Sequence, residues 1–248
     1  MSAPEKDVTP ENQRAESTRK PVQSLSNKTA SWLKKHYLGI INLALAIYVI
    51  LPLMAPVLTK TGQSGAADVI YRLYKPLCHQ LAYRSFFLFG EQTVYPRELA
   101  GVAGLKTYEE VTGNDGKDQM AAIAFRGNEQ LGYKAALCQR DLAIYLSLLL
   151  FGLIFSLSGR RMKPFPWFAW ILLALIPIGL DGFSQLISQM EMPALGWLSM
   201  RESTPFLRVI TGAMFGWFTA WFGLPSIEEM MIETKPAKQA ISSSPKGV

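Results

Sequence analysis

Four stretches of the chain, 38–58, 139–158, 165–187 and 206–224, are apolar almost throughout. At about 1.5 Å per residue, roughly 20 residues cross the hydrocarbon core of a bilayer. Each stretch meets or approaches that length. Pro52 and Pro56 fall near the far end of the first, and Ser158-Gly159 closes the second. Pro166 suits the first turn of the third, and Ser203, Thr204 and Pro205 form a capping and initiating set for the fourth. Residues 66–90 differ: Ile70, Leu73, Tyr74, Leu77 and Leu81 recur at helical spacing, while Arg72, Lys75, His79 and Arg84 interrupt the rest. One apolar face beside a charged one reads as an interfacial or re-entrant helix. The pattern predicts an all-α, polytopic helical membrane protein with four transmembrane helices plus that one helix.

The remaining segments are polar. Residues 1–30 and 226–248 hold too little apolar surface to offset ordering entropy, so both are expected to be disordered tails. Residues 91–137, with Gly101, Gly104, Gly113, Gly116 and Gly127, form either a loop or a small subdomain. Charge then sets orientation. Arg19, Lys20, Lys28, Lys34 and Lys35 precede the first span, and Arg160, Arg161 and Lys163 lie between the second and third, without an acid in either group. Basic residues collect on the cytoplasmic side. Both termini are therefore expected in the cytoplasm of a plasma-membrane protein, with 59–137 and 188–205 outside.

Composition narrows the chemistry. Of 248 residues, 18% are charged, against about 25% in soluble domains. The net charge of +6 follows membrane topology, so the lipid bilayer is the expected partner and nucleic acid is not. No nucleotide is expected, because no phosphate-binding loop occurs, and neither His-Glu-x-x-His nor Gly-x-Ser-x-Gly is present, so the balance tips away from an enzyme.

Cys78, His79 and Cys138 all fall on the expected outer side. Two outer cysteines suit a disulfide or redox pair. With His79, and with Asp141 or water as a further ligand, they equally suit a metal such as zinc or copper, and two unlinked thiols are a third reading. Haem is disfavoured, because His36 and His79 belong to opposite boundaries. Within the third span, Asp181, Gln185 and Gln189 share one helix face. A carboxylate inside a span needs a partner. Arg208 is the foremost candidate, with Arg84 and Arg140 behind it. The face forms either an ion pair fixing helix register or a substrate site. Gly212 and Gly216 suit close helix packing.

Several blocks resemble one family, the DUF2085 group of uncharacterised bacterial and archaeal multi-pass membrane proteins. They are Cys78-His79-Gln80 with Arg84-Ser85-Phe86, Cys138-x-Arg140-Asp141 with Ile144-Tyr145, Asp181-Gly182-x-x-Gln185, and Leu207-Arg208-x-x-Thr211-Gly212. The resemblance implies a few spans, no assigned activity, and a single site built from the Cys-His-Gln, Cys-x-Arg and Asp-Gly-x-x-Gln groups. It differs in one respect: about 50 residues separate Phe86 from Cys138, which reads as an insertion. Three functions remain open: a thiol-redox or metal site backed by an Asp/Arg/Gln network, a small-solute or ion transporter using Asp181, and an accessory subunit bound to partner membrane subunits.

Overall fold

The computed structural model describes the backbone of residues 10–189 and 201–242, and the side chains of residue 29, 31–188 and 201–232. The expected tails, 1–30 and 226–248, lie largely outside the described side chains. The chain divides into two compact units, 1–41 and 42–248. The helix α1 (Pro10–Lys60) contributes its residues 10–41 to the first, with Lys34 and Lys35 among them and the rings of Trp32 and His36 5.0 Å apart, and its residues 42–60 to the second.

The second unit holds the other elements: α2 (Ser64–Tyr74), β1 (Ser85–Leu88), α3 (Tyr108–Thr112), α4 (Gln119–Ala124), β2 (Gly127–Asn128), β3 (Gly132–Cys138), α5 (Gln139–Leu157), α6 (Trp167–Trp170), α7 (Ile176–Gln189) and α8 (Pro205–Ser242). Three described helices are long and apolar enough to cross a membrane: Ser31–Lys60, Gln139–Leu157 and Trp167–Ser188. The last includes a π-helical turn, Ile171–Leu175, where the Ile176 N–H bonds back to the Ile171 carbonyl. This wider turn precedes Pro177, which lies in the first turn of α7 and has no N–H to donate to the preceding turn.

The fourth expected span, 206–224, is helical as part of α8 but is not among those three. Arg208, Gly212, Gly216 and Thr219 dilute its apolar content. It packs along α5 in the same direction. A Cβ on Gly212 would press on the Arg140 carbonyl, and one on Gly216 would collide with the Ile144 carbonyl and the Ser147 hydroxyl. Farther along, the Trp221 indole donates to the Lys163 carbonyl at 3.1 Å, and Arg160 lies 3.5 Å from Glu228. This stretch of α8 therefore accompanies α5 from Arg140 to the turn beyond its end.

Two expectations change, and for a third segment one of the two expected forms is seen. The fold is mostly helical but not all-α: β1, β3 and β2 form an antiparallel sheet in that order. The helix expected over 66–90 stops at Tyr74, because Pro76 lacks the N–H that would continue it. Its apolar residues divide accordingly: Ala67, Ile70, Tyr71 and Tyr74 are buried, whereas Val69, Leu73 and Leu77 are exposed. Residues 91–137 fold as a subdomain. Leu81, Tyr83, Phe87, Tyr95, Tyr108, Ala122 and Leu131 form its core, and a capping box of Thr107 and Glu110 starts α3.

Candidate functional site

Two local features bring the sequence-distant cysteines together. β3 runs directly into α5, with Cys138 as the N-cap residue whose Sγ accepts the Asp141 N–H at 3.4 Å. Across the sheet, Cys138 pairs with Ser85. The chain turns after α2, and Gln80 takes φ 55, uncommon for a residue with a Cβ. Its side-chain amide holds the turn by donating to the Tyr71 carbonyl at 2.8 Å. Cys78 thereby reaches Cys138, and both are unbridged. Their sulfurs and a carboxylate oxygen of Asp141 lie within 4.8 Å of one another.

The two thiols differ in acidity. The Cys138 S–H directed at Cys78 holds the Cys78 thiol below its ordinary pKa, helped by the backbone N–H groups of Gln80 and Cys138 and opposed by burial. The same hydrogen bond, with burial, pushes Cys138 well up. Cys78 is thus the more acidic thiol of the pair and Cys138 the less acidic one.

Behind the turn lies Lys134, fully buried without a carboxylate partner among the described residues. Its Nζ donates to the carbonyls of Gln80 at 2.7 Å, Ile123 at 2.9 Å and Ala122 at 3.3 Å. Burial and the Arg126 charge pull its pKa down to about 7, and the Cys78 charge opposes them. The Tyr71 hydroxyl bonds the Lys134 carbonyl, and Arg126 lies 3.5 Å from the centre of the Tyr71 ring. Lys134 and Tyr71 together tie the Cys78 turn to the sheet subdomain.

A cavity of about 310 Å³ opens on the thiols. Leu77, Cys78, His79, Gln80, Leu81, Arg84, Cys138, Arg140, Asp141, Gln185 and Arg208 line it. Two buried carboxylates lie behind. Asp181 accepts from Arg140, from Arg201 at 3.0 Å and from Ser203 at 2.7 Å. Glu202 accepts from Arg84 at 2.9 and 3.1 Å, from Gln185 at 3.0 Å and from Arg208. Arg97, shared with Glu109, approaches it to 3.7 Å.

The sequence-derived residues thus converge only in part. Arg208 does not pair with Asp181. It serves Glu202, and Arg140 takes Asp181. His79 is exposed at the cavity wall and is not among the clustered ligand atoms. Thr211 returns its hydroxyl to the Leu207 carbonyl at 2.7 Å. Gln189 lies outside the described side chains. Sequence reasoning missed Glu202, Arg201, Ser203 and Lys134 as members. A signal existed for Lys134, a single charge in the apolar run Ala135-Ala136-Leu137, and for Arg201-Glu202-Ser203-Thr204, a polar cluster at the start of an apolar helix.

The family of predicted membrane proteins DUF2085 matches residues 126–222. That range contains Cys138, Arg140, Asp141, Asp181, Gln185 and Arg208, and excludes Cys78, His79, Gln80 and Arg84. An uncharacterised protein of the archaeon Methanocaldococcus jannaschii is 26% identical over 206 residues, covering 80% of this chain and 97% of the relative. No solved structure matches. The family match and the three span-length apolar helices describe an integral membrane protein.

Proposed function

We propose that this is a four-span membrane protein with a dithiol–disulfide centre, Cys78 and Cys138, on the extracytoplasmic side. The fourth span is supported by the course of α8, which keeps beside α5 from Arg140 to the Arg160–Lys163 turn. A partner that follows a crossing helix from end to end crosses with it. The basic turn supports a cytoplasmic position for that end, and with it an oxidising side for the cysteines.

One observation carries the redox reading: two thiols of unequal acidity meet in the wall of a cavity. Thiol–disulfide exchange needs a thiolate to attack and a second sulfur to resolve. The Cys78 thiolate attacks a sulfur of a disulfide R–S–S–R, forming Cys78–S–S–R and releasing RS⁻, which takes the Cys138 proton. The Cys138 thiolate then attacks the Cys78 sulfur, closes the Cys78–Cys138 disulfide and releases a second RS⁻, which takes a proton from solvent. Two electrons pass from the protein dithiol to the substrate disulfide, and the reverse reaction oxidises two thiols.

A second reading, a zinc or copper ion on Cys78, Cys138 and Asp141, is favoured by the clustering of those three ligand atoms. Three arginines on the same wall work against it, because a dication there adds to an existing positive field. Redox titration of the purified full-length protein, with thiols counted by mass-tagged maleimide, separates the two. The dithiol reading expects one reversible two-electron transition, lost in both Cys78→Ser and Cys138→Ser. Thiols that stay free under a mild oxidant contradict it, and thiols released to label only by a chelator transfer the site to metal.

A further inference from the structure

The cavity wall is unequal in charge. Arg84, Arg140 and Arg208 line it, and Asp141 is the one carboxylate among the lining residues. Asp181 and Glu202 lie behind these arginines, each occupied by several donors on the protein side. The Arg140 Nε is buried without a hydrogen-bond partner among the described residues. The amides of Gln80 and Gln185 complete the polar lining, and α5 presents its N-terminus, the positive end of its dipole, at Cys138. A volume of about 310 Å³ is at the small end for a ligand site, room for a small molecule rather than a folded partner.

We infer that the cavity takes a small carboxylate-bearing disulfide or thiol, with the arginines holding the carboxylate while the Cys78 thiolate meets the sulfur. This rests on the dithiol reading for the chemistry and on the arginines for the recognition. Guanidinium groups match a planar carboxylate in geometry as well as charge. The paired carboxylates position the guanidiniums and spread their charge, so the wall attracts an anion without holding one permanently.

Substrate charge can be varied while the protein stays unchanged. Full-length reduced protein in detergent is mixed with three disulfides: the dianionic dithiobis(nitrobenzoate), the neutral dithiodipyridine and the cationic cystamine. Each rate is divided by that of a small free thiol with the same reagent. The anionic reagent should react about tenfold faster than the neutral one on this scale, and the cationic one more slowly still. High salt should narrow the spread, sodium sulfate should slow the anionic reagent at constant ionic strength, and Arg84→Gln should reduce its advantage. Equal normalised rates, or a preference for cystamine, would overturn the inference. Failure of the redox reading appears separately, as a mixed disulfide on Cys78 that never resolves onto Cys138 while the charge preference stays measurable.

Discussion

The two halves of the site are built from similar residue types and arranged to opposite ends. At the Asp181–Glu202 side, each carboxylate receives several donors from different elements, and both acids are buried. At the thiol side, Cys78, Cys138 and Asp141 face a cavity, and the Arg140 Nε has no hydrogen-bond partner among the described residues. A saturated carboxylate has little capacity left for substrate, so the first half is architecture. Groups that face space with an unequal charge keep capacity to bind, so the proposed chemistry is assigned to the second half.

Disturbing the saturated half should cost the most. Asp181→Asn leaves Arg140 and Arg201 without their anion, and Glu202→Gln does the same to Arg84 and Arg208. Breaking a buried pair by removing one partner costs about 3–5 kcal/mol. Both variants should therefore give little folded protein by size-exclusion chromatography in detergent. Normal folding of Asp181→Asn combined with loss of solute flux would instead revive the transporter reading.

A smaller effect is expected where α8 meets α5. Gly216→Val puts methyl groups onto the Ile144 carbonyl and the Ser147 hydroxyl. Overpacking of this kind costs about 1–3 kcal/mol, readable as a lower thermal midpoint. An unchanged midpoint would mean that the two helices are not in close contact.

Lys134 links the two comparisons through pH. Its folded pKa is about 7 and its ordinary value is 10.5. Below pH 7 both folded and unfolded chains hold the proton, and the cost of the buried ammonium is present in full. Between about 7 and 10.5 the unfolded chain keeps a proton that the folded protein has released, so stability rises with pH. Arg126 and Cys78 are the charged neighbours that modulate this rise. Thermal unfolding from pH 6.5 to 9 should show it in the parent protein, and Lys134→Met should flatten it. The same slope in both proteins would remove Lys134 as its source.

The thiol half should change stability least. Cys78→Ser and Cys138→Ser each replace one atom at a cavity wall, so the unfolding free energy should change by under about 1 kcal/mol. Reactivity should change sharply: maleimide labelling of Cys78 in the parent should be half-complete below the ordinary thiol pKa, and Cys138→Ser should move that pH upward. A midpoint unaffected by Cys138→Ser would show that the pair is not coupled.

Three span-length apolar helices were legible because lipid imposes a length and a composition that few other environments require. The packing role of Gly212 and Gly216 was legible for the same reason, since only small residues allow backbones to approach. The cysteines drew notice as residue types, but their meeting depends on Pro76 ending α2 and on β3 running into α5. A four-residue strand such as Ser85–Leu88 carries little periodic signal, so the sheet was missed. Partner choice was the least readable feature. Arg208 and Arg140 both start apolar helices, and only tertiary placement assigns one to Glu202 and the other to Asp181.

Sided labelling tests the dithiol centre most directly. Intact cells are treated with a membrane-impermeant maleimide before and after reduction by an impermeant phosphine, and Cys78 and Cys138 are read by mass. Little labelling at first, followed by labelling of both cysteines after reduction and unaffected by a chelator, is the result expected of an extracytoplasmic disulfide–dithiol pair. Thiols that label fully without reduction, or only once the membrane is permeabilised, would contradict it.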